Sequence, residues 1–83
     1  MNASISNTKE LKIFLEKAKV DKDYYSIYLD ENFYFDTVCY ICLKNKIWEI
    51  GTFERGLHHH VKQFSIEADA CRAFLEEFYP ETL

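Results

Sequence analysis

The chain has 83 residues, of which 48% are hydrophobic and 17% aromatic, and it carries a formal net charge of −4. That length holds one domain and no second core, and it buries about two-thirds of the surface that the unfolded chain exposes. An acidic balance argues against direct nucleic-acid binding, which needs a basic stripe. Two Gly and one Pro argue against a disordered chain.

Met1–Ser6 reads as a frayed tail without an apolar signal-peptide region, and no apolar run approaches the ~18 residues of a membrane span. The expected compartment is the cytoplasm, with Cys39, Cys42 and Cys71 as free thiols. Asn7 is a helix N-cap candidate, with Glu10 three residues on to complete a capping-box-like pair. Leu11, Phe14, Leu15 and Ala18 then recur at helical spacing, which predicts a helix over residues 8–19.

Charge is uneven along the chain. Residues 1–20 hold four lysines against Glu10 and Glu16, whereas residues 21–36 hold five acids and only Lys22. Such an acidic segment fits a basic partner, or simply a solvated surface. Asp21-Lys22-Asp23 breaks the helix, and Tyr24–Leu29 has the aromatic and β-branched character of a strand. Asp30-Glu31-Asn32 reads as a turn, followed by a long apolar stretch, Phe33–Leu43, whose first residues suit a loop.

Lys46–Glu54 alternates as a third strand, and a two-residue turn at Lys44-Asn45 pairs Leu43 with Lys46, Ile41 with Trp48 and Cys39 with Ile50. This register places Cys39, Ile41, Leu43, Trp48 and Ile50 on one face, the better core. Val38, Tyr40, Cys42, Ile47, Glu49 and Phe53 fall on the other. Residues 56–63, with His58-His59-His60, read as a loop. Ser65 is the expected N-cap of a second helix, in which Cys71, Phe74, Leu75 and Phe78 repeat at i, i+3, i+4 and i+7. The expected architecture is α+β, in the order α-β-β-β-α: a three-stranded antiparallel sheet, both helices on one face and the other face open.

Adjacent histidines on an extended loop point apart, and no Cys-x-x-Cys or His-x-x-x-His accompanies them, so neither a metal site nor a metal-dependent enzyme is expected. Cys71 lies on the apolar stripe of its helix and reads as a buried structural thiol rather than a nucleophile. Glu49 and Glu54, an odd number of residues apart on one strand, point to opposite faces and make no acid–base pair. Arg55 and Gly56 read as turn residues, the first pairing with a carboxylate and the second allowing a backbone angle other residues resist. No cofactor motif is present. The open sheet face is the stronger candidate site, because aromatics beside carboxylates suit protein recognition. Tyr28, Asp30, Glu31, Tyr34, Asp36, Tyr40 and Glu49 are the candidate partner contacts.

Trp48-Glu49-Ile50, then Glu54-Arg55-Gly56, then Phe64-Ser65-x-Glu67-x-x-Ala70-Cys71-x-x-Phe74, resembles the small bacterial immunity proteins of polymorphic toxin systems. The tyrosine-rich strand after the first helix, Asp23-Tyr24-Tyr25-Ser26-Ile27, is similar too, and the likeness spans most of residues 8–78. The resemblance implies a cytoplasmic, non-enzymatic antidote; the expected state of the chain is a monomer or weak dimer. It would bind the toxic domain of a cognate effector, often a nuclease with a basic cleft, and block its active site or substrate entry. The His triplet and the long Phe33–Leu43 stretch depart from the family's pattern. The alternative is a small adaptor or subunit that binds a protein partner through the open sheet face.

Overall fold

A computed structural model describes residues 5–28 and 37–83. The class is α+β, with two helices and a four-stranded mixed sheet. No described helix is long and apolar enough to cross a membrane.

The first helix, α1, spans Thr8–Lys17. Asn7 caps it, its Oδ1 accepting from the Glu10 N–H at 2.8 Å. The return arm goes one residue further upstream than in a standard capping box, with Glu10 Oε1 accepting from the Ser6 N–H at 2.8 Å. At the other end Lys19 takes a left-handed φ of 60°, and Lys19 and Val20 donate to the carbonyls of Glu16 and Leu15. This is a Schellman motif built on lysine rather than glycine.

A single 3-10 turn, Lys22–Tyr24, leads into β1, Tyr25–Ile27. Strands β2 (Val38–Lys44), β3 (Ile47–Glu54) and β4 (Leu57–Phe64) follow, in the sheet order β1-β2-β3-β4. Both hairpins β2–β3 and β3–β4 are antiparallel, whereas β1 runs parallel to β2. The expected three-stranded antiparallel sheet is thereby corrected to a mixed one with a fourth strand. Residues 56–63, expected as a loop, are mostly strand. Six of the eight β4 residues are exposed, so hydropathy carries no alternation there and backbone pairing with β3 holds the strand.

The β2–β3 turn is Asn45-Lys46, at φ 50° and 67°, the two positive angles of a type I′ turn. It sits one residue downstream of the expected turn, which puts asparagine at the first central position and moves every partner by two: Ile41 faces Ile50, and Leu43 faces Trp48. An even shift leaves both faces as read from the sequence. Leu43 alone departs, at the exposed end of its strand. The β3–β4 turn, Arg55-Gly56 at φ 50° and 83°, repeats the device, and no described carboxylate pairs with Arg55. In β4 a bulge near His60 (φ 56°) sets His60 and Val61 opposite the single β3 residue Gly51.

The second helix, α2, spans Glu67–Phe78, and its N-cap is Ile66 with no side-chain bond, rather than Ser65. Both helices bury their stripes on one face of the sheet, where Leu11, Leu15, Ala70, Cys71, Phe74 and Leu75 meet Tyr25, Ile41, Trp48 and Ile50. Thr8 ties the two helices together at their N-termini, its N–H donating to Glu67 Oε2 at 2.8 Å and its Oγ1–H to the same oxygen at 3.2 Å.

Candidate functional site

The opposite face of the sheet is not open. Val38, Tyr40, Cys42 and Phe53 form a second buried cluster there, and Glu49 is only 8% exposed beside them. The expectation that Tyr40 and Glu49 are exposed contacts is thereby corrected. The face as read from the sequence already held Val38, Cys42 and Phe53, and a small domain with this many rings has apolar surface enough for two clusters.

Tyr40 lies opposite Gly51 in the β2–β3 register. A Cβ on Gly51 would stand 2.9 Å from both the Tyr40 hydroxyl and the His59 carbonyl oxygen, so only glycine lets the phenol cross the strand. The hydroxyl donates to Glu49 Oε2 at 2.6 Å, and His58 Nδ1 lies 2.8 Å from it. With the phenol O–H directed at Glu49, the phenol oxygen is left to accept from His58 Nδ1 in the tautomer that carries its proton there. Gln63 Nε2 donates to the other Glu49 oxygen at 3.2 Å, and Lys44 Nζ lies 3.7 Å from Oε2. The His58 ring meets Tyr40 and Phe53 edge-on, at centroid distances of 5.2 and 4.9 Å.

Burial is the largest influence on Glu49 and opposes its charge. The bonds from Tyr40 and Gln63, with the charges of Lys44 and His58, outweigh it and hold the carboxyl below the usual carboxylate range. The group of β2, β3 and β4 side chains is therefore a buried carboxylate satisfied from three sides. Every buried side-chain polar atom among the described residues has a partner. A Gly51→Ala variant is expected to lose about 1–3 kcal/mol, the cost of overpacking. Urea unfolding measures it, and a change under 0.5 kcal/mol would mean that Tyr40 does not cross Gly51.

Of the remaining candidates, only Tyr28 falls among the described residues. Tyr28, at φ 64°, is 57% exposed and swings toward the helix side, its ring 6.1 Å from that of Trp48 and its hydroxyl 3.5 Å from Thr8 Oγ1. It lies across the sheet from Tyr40 and Glu49. Asp30, Glu31, Tyr34 and Asp36 lie outside the described residues. His59 and His60 are exposed on β4, and no group of three or more His, Cys, Asp or Glu among the described residues could hold a metal ion. Burial, then Glu67 and Glu10, pushes the Cys71 thiol up to about 12, which keeps it protonated and poorly nucleophilic at neutral pH. Burial likewise raises Cys39, against a hydrogen bond with Tyr79.

Sequence reasoning missed His58, Gln63 and Gly51. The one available signal was a glycine in mid-strand, which marks a close approach. In comparisons with models of known families, with curated proteins and with solved structures, nothing matches this chain.

Proposed function

We propose that the protein is a non-enzymatic immunity protein, which neutralises a cognate bacterial toxin domain by stoichiometric protein–protein inhibition. The observation that carries this reading is where the family-like residues come together. Trp48, Ile50, Ala70, Cys71 and Phe74 belong to one buried cluster, and Phe64 packs against it. The resemblance is thus one of scaffold, in residues far apart in the chain that share one core. The groups with chemistry to offer are engaged with one another: Tyr40, Glu49 and His58 in one network, and Cys71 buried as a thiol. That arrangement suits binding better than catalysis.

A nuclease with a basic cleft fits the net charge of −4 and the acids Asp30, Glu31 and Asp36. Tyr28 adds an exposed ring, and with Tyr34 these residues form the proposed contact set. The adaptor alternative rests on an uncovered sheet face, and that face is buried.

Co-expression tests the function. The product of the adjacent upstream reading frame should arrest growth alone and spare it when this protein is present. A harmless neighbour, or a toxic one without rescue, counts against the reading. With the purified toxin, Asp30→Lys with Glu31→Lys should slow association about tenfold at low salt and flatten its salt dependence. An unchanged salt dependence would move the contact away from Asp30 and Glu31.

A further inference from the structure

Strand β1 ends the sheet, and no described strand pairs with its outer edge. Beside that edge runs a groove of about 550 Å³, walled by α1, the 3-10 turn and β1 itself. Lys9, Lys12 and Glu16 line it from α1 at i, i+3 and i+7, one stripe of the helix, and Lys22 reaches it from the turn. Three ammonium groups therefore face one carboxylate, in a chain whose net charge is −4. All three lysines are exposed, and none forms an ion pair with a described residue. Glu67, near the Thr8 end of the groove, is held by the Thr8 N–H and hydroxyl and so is not available to the lysines as a close partner.

We propose that this groove docks an extended, acidic segment of a partner protein, laid beside β1 as an added strand. Two independent features point to the same occupant. A strand edge with which no described strand pairs offers backbone donors and acceptors to an extended chain. In such a chain alternate side chains share one side, so carboxylates at every second residue stand about 6.6 Å apart and face the lysine stripe. Because β1 spans only Tyr25–Ile27, few backbone bonds can form, and charge supplies much of the affinity. Specificity for acid therefore follows from the shortness of the strand. The groove shares Tyr28 with the contact set proposed above, and its test needs no toxin.

The probe is a fluorescein-labelled octapeptide of alternating Glu and Val, titrated into the intact protein at low salt. Parallel probes are its Lys-Val counterpart, a version N-methylated at alternate residues, and a single-stranded DNA oligonucleotide. The expected result is saturable binding of the Glu-Val peptide alone, with amide shifts centred on Tyr25–Tyr28 and α1. Reversing the lysines (Lys9→Glu, Lys12→Glu, Lys22→Glu) should weaken it at least tenfold, about the combined worth of three exposed ion pairs. Should the triple reversal unfold the chain, Lys12→Gln alone should weaken binding about threefold. No saturable binding, shifts confined to β4, or equal affinity for the lysine variants would overturn the proposal. So would undiminished binding of the N-methylated peptide, or tighter binding of the oligonucleotide, each of which makes the groove a general anion patch.

Discussion

Replacing Phe74 by alanine should cost about 3–5 kcal/mol, the usual range for deleting a buried ring. A chain of this length has a total stability of roughly 4–12 kcal/mol, so the variant should be largely unfolded or lose at least about 12 °C in Tm. Phe74 is fully buried where α2 meets the sheet, its ring 5.4 Å from Phe78 and 5.8 Å from Tyr79. Phe78, at the margin of the same cluster, should cost distinctly less when truncated. Thermal unfolding followed by circular dichroism compares the two. A loss under about 1 kcal/mol for Phe74→Ala would mean that α2 is not docked through this ring.

Removing the Glu49 carboxylate should cost about 1–3 kcal/mol at neutral pH, because Gln63 loses its buried acceptor and the Tyr40 hydroxyl loses the oxygen it donates to. The effect should also depend on pH in a defined direction. The folded carboxyl lies below its unfolded value, so its stabilising contribution is complete above the unfolded value and lost as pH falls through the folded one. The wild-type chain should therefore weaken toward acid, and Glu49→Gln should flatten that dependence while lowering stability near neutrality. Glu10 is also held below the usual range, first by the Ser6 backbone N–H, but it sits on the surface, where solvent screens its share. Urea midpoints measured across the acid range for both proteins decide the matter. Parallel curves would show that the acid sensitivity lies elsewhere.

Much of the frame was legible in the residues. The stripes of Leu11, Phe14 and Leu15 and of Cys71, Phe74 and Leu75 predicted both helices, and each stripe faces the core. Asn45 marked the β2–β3 hairpin, and the two-face division of β2 and β3 survived a turn placed one residue away, because an even shift preserves the pleat. The fourth strand left no such trace. Leu57–Phe64 is an edge strand with mostly exposed side chains, so its three histidines read as loop. The site suffered from the same blind spot. Tyr40 and Glu49 looked like surface residues, and the hydrogen-bond partners His58 and Gln63 belong to the strand that was not seen.

By itself the sequence determined the class, the two helices, the central hairpin and the faces of its strands. These depend on periodicity and turn chemistry within a few neighbouring residues. The tertiary structure alone decided that β1 runs parallel to β2, that β4 pairs with β3 as a fourth strand, and that the second face carries a buried cluster. It also decided that Thr8 meets Glu67 across 59 residues and that Tyr40 meets His58 across 18. Such contacts depend on which strand edges pair and where a bulge falls. Those outcomes follow from the packing of the whole chain, and no local stretch encodes them.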